Sequence, residues 1–120
     1  MRTIMMVDDT KEFRKKVKKY FKLNKIKVLD APDALEAANI LMRKRELIEL
    51  ILLDIQMPEV DGRDVFEIVH EYAPAIPVIV CSVMPLRDQK LKIPRVRAYF
   101  QKTESEEALL KKVKSIMGME

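Results

Sequence analysis

The sequence predicts an α/β fold: five parallel strands alternating with helices that cover both faces of the sheet. Three observations carry this. Apolar runs such as residues 4–7 and 50–53 are continuous rather than alternating, as strands buried on both sides are. Between the runs lie longer stretches whose apolar residues recur at helical spacing. Strand and helix patterns then take turns along the chain, the order of βαβ units. At 120 residues the chain is read as one domain, residues 1–120.

Each element follows from a local pattern. Residues 3–7 read as a short buried strand. A helix is expected over residues 10–23, with Phe13, Val17, Tyr20 and Phe21 on one face. Asp9, with Glu12 three positions on, has the spacing of an N-cap pair. Residues 26–29 form the second strand. Pro32 and Asp33 open a second helix whose inner stripe is Ala34, Ala37, Ala38 and Leu41. The third strand lies within residues 47–53. Asp61-Gly62 turns into a third helix with Val65, Ile68, Val69 and Tyr72 inward, and Pro74 and Pro77 mark its exit. Residues 76–80 are a β-branched fourth strand. Residues 83–97 are the least regular, with Pro85 and Pro94 bracketing at most a short helix. Residues 98–101 are the fifth strand. Thr103-Glu104-Ser105-Glu106 reads as a capping box for a last helix, with Leu109, Leu110, Val113 and Ile116 inward.

Composition narrows the function classes. No apolar run approaches the ~18 residues of a membrane span. Met1-Arg2 runs straight into a strand pattern, so no signal peptide is expected. The single Cys81 sits in an apolar strand, which fits a reducing cytoplasm. The net charge of +4 is compatible with an acidic partner, but there is no helix-turn-helix pattern, zinc spacing or aromatic-interleaved basic strand to mark a nucleic-acid-binding domain. Residues 11–27 carry nine Lys and Arg against Glu12 alone. A solvated face explains that run most simply; the sharper reading is electrostatic steering of a partner.

Chemistry concentrates at strand ends. Residues 4–7 run into Asp8-Asp9, and residues 50–53 end in Asp54. Ser82 ends the fourth strand and Lys102 the fifth. A carboxylate at the end of a buried strand is costly to desolvate unless the site uses it. In an open parallel sheet, ligands bind at the carboxyl ends of the strands. Three carboxylates there suggest a cation site holding a nucleophile. Alone, an Asp pair after a strand is more often a helix cap beside a solvated neighbour, and a strand-end serine more often bonds backbone. Order and spacing together make the pattern specific.

With the Asp8-Asp9 pair, Asp54 within Asp-x-x-Met-Pro-x-x-Asp-Gly, Ser82, and Lys102 with Tyr99 three positions before it, the chain resembles the receiver domain of two-component response regulators along essentially its whole length. The Ala31-x-x-x-x-Glu36-Ala37 stretch also fits. The resemblance implies a flavodoxin-like, doubly wound sheet of order 2-1-3-4-5. It implies a stand-alone, chemotaxis-type response regulator, a monomer in the cytoplasm. Asp54 would be the phosphoacceptor. Mg²⁺ (or Mn²⁺) would be held by Asp9, Asp54 and the backbone carbonyl of Gln56, with Asp8 acting mainly through a metal-bound water. Lys102 and Ser82 would bind phosphoryl oxygens, and Ser82 with Tyr99 would form the switch. The phosphoryl donor would be a histidine kinase or a histidine phosphotransfer protein, with a protein target downstream. Such a chain is a signalling switch that catalyses its own phosphotransfer and dephosphorylation, not an enzyme in the ordinary sense.

Several residues depart from that family's pattern. Thr103 follows Lys102 where the family has proline, often after a cis peptide. A non-proline cis bond costs roughly 3–4 kcal/mol, so a trans peptide is expected, with Thr103 available to cap the last helix. Val83 stands where a small residue is usual and is expected to narrow access to the site. Gln56 and Met84 lie two residues past Asp54 and Ser82, positions that in the family tune the lifetime of the phosphoryl group; Met84 cannot orient an attacking water, which favours a longer-lived phosphorylated state. Two other readings compete: a phosphorylation-independent adaptor of the same fold, and a phosphatase of the haloacid dehalogenase type. The latter wants an acid two residues after its nucleophile, where this chain has Gln56. His70, the sole histidine, has no evident part.

Overall fold

The computed structural model describes residues 1–58 and 60–119. Five strands form one parallel sheet: β1 (Arg2–Val7), β2 (Ile26–Ala31), β3 (Ile48–Leu53), β4 (Val78–Ser82) and β5 (Ala98–Gln101). Five α-helices alternate with them: α1 (Lys11–Leu23), α2 (Ala34–Lys44), α3 (Gly62–Tyr72), α4 (Leu86–Lys92) and α5 (Glu106–Met117). The spatial order is β2-β1-β3-β4-β5, the doubly wound order expected. The direction of winding reverses between β1 and β3.

The continuous apolar runs are sorted onto two faces by the two-residue period of the strand. Ile4, Met6, Leu50, Leu52, Ile79, Cys81 and Phe100 face one layer, where Val17 and Phe21 of α1 and Leu109, Leu110 and Val113 of α5 cover them. Met5, Val7, Ile51, Leu53, Val78 and Val80 face the other, under Ala37, Ile40 and Leu41 of α2 and Val65 and Val69 of α3. Burying each large aliphatic side chain contributes about 1.5–3 kcal/mol. The two layers therefore fix the strand register that sets the site. Cys81 is sealed in the first layer, where burial pushes its thiol far above the usual range. That makes it an inert packing residue.

Element ends differ from the sequence reading for identifiable reasons. β2 runs on to Ala31 because it pairs with β1 along its whole length, Arg2 with Ile26 through Val7 with Ala31. β4 begins at Val78, because the Ile76 N–H turns back to the Ala73 carbonyl (3.2 Å) and Pro77 has no N–H to give. Asp9 does not cap α1: Thr10 occupies the cap position without a side-chain bond, and Asp8 Oδ1 accepts the Thr10 N–H at 2.8 Å. Thr103 does not cap α5 either. The Glu104 N–H closes a turn onto the Gln101 carbonyl (2.9 Å), which delays the helix, and Ser105 Oγ accepts the Ala108 N–H at 3.2 Å. Asp33 caps α2 as read, accepting the Glu36 N–H at 2.8 Å. Ile40 joins its buried face, while Ala34 and Ala38 are only half-buried.

Between β3 and α3 a two-residue antiparallel ladder, Gln56–Met57 with Val60–Asp61, shapes the loop that the Met-Pro and Asp-Gly signals announced. Gly62 opens α3 pressed against this loop. A Cβ there would lie 2.5 Å from the Ile55 carbonyl oxygen, so no other residue fits without moving backbone. No cis peptide occurs among the described residues, and Lys102-Thr103 is trans as expected. No helix among the described residues is long and apolar enough to cross a membrane.

Candidate functional site

The site lies at the carboxyl end of the sheet, across the point where the winding reverses. Backbone bonds carry the ladder one residue past the strands and so place each side chain. The Asp8 N–H donates to the Ala31 carbonyl (3.0 Å), the Asp54 N–H to the Val7 carbonyl (2.9 Å), and the Lys102 N–H to the Ser82 carbonyl (2.8 Å). Asp8 and Asp54 are buried, at 1% and 3% exposure, while Asp9 is open to solvent. One carboxylate oxygen from each of Asp8, Asp9 and Asp54 falls within a set spanning no more than 4.8 Å. The structure thus brings together the three acids that the sequence singled out.

Lys102 reaches into this cluster. Its ammonium lies 2.6 Å from Asp8 Oδ2 and 3.3 Å from Asp54 Oδ2, with the side chain only 10% exposed. It also sits over the Phe13 ring, 4.6 Å from the centroid. Burial works to lower the Lys102 pKa, but its two carboxylate partners together hold it above the ordinary lysine value. Asp54 shows the opposite balance. Burial raises its carboxyl above the usual carboxylate range, more than the Gln56 N–H (2.9 Å to Oδ1) and the Lys102 charge lower it. The charge of Asp8 adds to the rise. Desolvation is the larger cause of the rise, and repulsion between the carboxylates the smaller.

Ser82 is fully buried at the end of β4. Its hydroxyl donates to Gln56 Oε1 at 2.7 Å and accepts the Met84 N–H at 3.1 Å. Tyr99 is half-buried, and its hydroxyl donates to the Ile93 carbonyl at the end of α4 (2.6 Å) rather than to Ser82. Val83 is 61% exposed at the rim. His70 lies on the surface of α3 stacked on Phe66, away from these groups.

Four contributors were not read from the sequence. By sequence Phe13 belongs only to the core stripe of α1, yet it forms the floor under Lys102. Arg14 donates to the Asp8 carbonyl at 2.8 Å and pairs with Asp30. The Gln56 side chain, as opposed to its backbone, bonds Ser82. Gln89, fully buried on α4, donates its amide N–H groups to the carbonyls of Met84 (2.7 Å), Phe100 (3.1 Å) and, more weakly, Ser82 (3.4 Å). Three carbonyls around one nitrogen fix the orientation of that amide. For Arg14, the run of positive charge in α1 hid the one cation that turns toward the site. For Gln89 there was no signal, because a lone Gln in a seven-residue helix has the pattern of a surface residue.

The arrangement presents an oxygen-only donor set with one fixed ammonium beside it. Three carboxylates against one ammonium leave two net negative charges, which suits a hard divalent cation that keeps several waters. Residues 4–114 match the family described as the response regulator receiver domain. Among solved structures, a CheY-like receiver domain protein from Methanospirillum hungatei is similar at 23% identity and TM-score 0.85, over 98% of this chain and 94% of that one. A two-component response regulator from Clostridium difficile is similar at 21% identity and TM-score 0.88, over 98% and 97%. The response regulator TrrA from Thermotoga maritima, solved in complex with Mg(2+)-BeF, is similar at 22% identity and TM-score 0.83, over 97% and 99%. These likenesses establish the fold, and the family match over most of the chain carries the assignment: the chain belongs to the response regulator receiver domain family of two-component systems.

Proposed function

We propose that this receiver is a phosphorylation-activated switch whose phosphoacceptor is Asp54. The observation that carries the reading is a buried Asp54 carboxylate held against the Lys102 ammonium, with Asp8 and Asp9 beside it, at the open end of the sheet. An Asp54 carboxylate oxygen attacks the phosphorus of a phosphohistidine on a histidine kinase or histidine phosphotransfer protein. The O–P bond forms as the N–P bond breaks, and the imidazole nitrogen keeps the electron pair and takes a proton from solvent. The product is an acyl phosphate. Lys102 pairs with a phosphoryl oxygen as a compact point charge, and Ser82 donates its hydroxyl to another. The three carboxylates and the Gln56 backbone carbonyl fit Mg²⁺; bound there, it would neutralise charge on the phosphoryl oxygens.

The phosphoryl group would then bias Ser82 and Tyr99, and through them the face formed by α4, β5 and α5 that a target protein reads. On this reading the protein works in the cytoplasm and acts on its own carboxylate rather than turning over a separate substrate. A haloacid dehalogenase-type phosphatase is disfavoured because Gln56, where that chemistry needs an acid, is a neutral amide bonded to Ser82.

Incubation with acetyl phosphate tests the proposal by intact mass. Wild type should gain the mass of one phosphoryl group with Mg²⁺ and not with a chelator, and Asp54→Asn should gain none. Steady hydrolysis of small phosphoesters with no phosphoprotein would contradict it.

A further inference from the structure

Ser82 is asked to do two things with one hydrogen. A serine hydroxyl donates once and accepts through its lone pairs. Here the donation goes to Gln56 Oε1 at 2.7 Å, while the oxygen accepts the Met84 N–H at 3.1 Å. The same hydrogen is the one that a phosphoryl group on Asp54 would take. Gln56 is well placed to compete for it. Its own N–H binds Asp54 Oδ1 at 2.9 Å, and it is paired with Asp61 in the short ladder, so its backbone is fixed from both sides. Its side chain spans from the end of β3 to the end of β4.

The rest of Ser82 cannot shift as readily. Its carbonyl accepts the Lys102 N–H at 2.8 Å and faces the Gln89 amide at 3.4 Å. The residue pairs with Gln101 in the sheet. Rotation of the hydroxyl away from Gln56 is therefore the change that leaves the sheet intact. Gln56 is solvent-exposed, so its amide is rehydrated once the hydroxyl has left.

We infer that Gln56 is a positioning residue: it holds the Ser82 hydroxyl in the unphosphorylated state, and phosphorylation has to take that hydrogen bond from it. The inference rests on Asp54 as phosphoacceptor. A charged phosphoryl oxygen is a stronger acceptor than a neutral amide, so the exchange proceeds. It proceeds less far than it would with a free hydroxyl. Gln56 thus acts as a brake on the active arrangement, through its side chain alone.

Beryllofluoride with Mg²⁺, a mimic of the phosphoryl group, tests this at equilibrium, where hydrolysis plays no part. Its affinity is measured for wild type, Gln56→Ala, Ser82→Ala and the double variant. Gln56→Ala keeps the backbone carbonyl and should tighten binding about 2- to 10-fold, the worth of one hydrogen bond. Gln56→Glu keeps an acceptor and should not tighten it. In the Ser82→Ala background the Gln56→Ala gain should vanish, and in unliganded Gln56→Ala the Met84 amide resonance should move. An equal effect of Gln56→Ala with and without the Ser82 hydroxyl, or weaker binding in Gln56→Ala, would overturn the inference while leaving Asp54 as acceptor. Absence of Mg²⁺-dependent binding to wild type would overturn both.

Discussion

Asp54 and Lys102 are each held by forces that oppose one another, and their outcomes differ. For Asp54 burial wins, so its carboxyl binds a proton more tightly folded than unfolded. The sign follows from linkage. The contribution of protonated Asp54 to stability is full below its unfolded value of 3.8 and is lost as pH rises through the higher folded value. Ionising the residue weighs against the fold. Asp54→Asn, a neutral mimic, should therefore melt higher than wild type in metal-free buffer at pH 7, with the gap closing as pH falls to about 3.8. A lower melting temperature for the variant at pH 7 would show that the Lys102 pair outweighs desolvation. Lys102 runs the other way: its charged form supports the fold below 10.5, and that support fades as pH rises above this value. The five polar residues of the site were legible because a charge or hydroxyl at the end of an apolar run is conspicuous. Phe13 and the Gln56 side chain were not, because a contact between separate elements leaves no periodicity in the chain.

At the scale of elements, α4 is the part least dictated by local sequence. It has seven residues between Pro85 and Ile93, no side-chain N-cap and little apolar surface of its own. Gln89 substitutes for these, tying the helix to Met84, Phe100 and Ser82 through buried bonds. Its Oε1 finds no partner among the described residues, so the amide is held by donation alone. Gln89→Ala removes the donors and deprives the Met84 and Phe100 carbonyls of this partner, at a cost of about 1–3 kcal/mol, while the Ser82 carbonyl keeps the Lys102 N–H. Urea unfolding should report that loss, and amide exchange should quicken in α4 while α1 stays protected. Exchange that quickens evenly across the molecule would instead mean that Gln89 supports the core. The brevity of α4 was readable from its prolines; what anchors it was not. The misread cap of α5 has a similar origin: Thr103 and Ser105 offer the same chemistry, and only the turn closed by Gln101 and Glu104 decides between them.

Across the whole molecule, the sheet order converts a linear pattern into a site. β1 and β3 are separated by α1, β2 and α2 in sequence, yet lie side by side and bring Asp8 to Asp54. The same topology sets the basic face of α1 beside the site. Lys16 pairs with Glu106, and Arg14 and Lys18 pair with Asp30, whose carboxyl they hold below the usual range against the opposing effect of burial. Lys11, Lys15, Lys19 and Lys22 are exposed and make no ion pair among the described residues. If that face steers a phosphodonor protein, Lys15→Glu with Lys19→Glu should slow phosphotransfer from it at low salt, and the difference should shrink as salt rises. Phosphorylation by acetyl phosphate should be unchanged. Equal protein-to-protein rates at every salt concentration would leave α1 a solvated face. Switching itself turns on one carboxylate, that of Asp54. The most direct measurement is reduction of the phosphorylated protein with borohydride, which converts an acyl phosphate to an alcohol, followed by peptide mass mapping. The account predicts homoserine at position 54, formed only when Mg²⁺ was present during phosphorylation. Homoserine at another position, or a phosphoryl group that survives reduction, would contradict it.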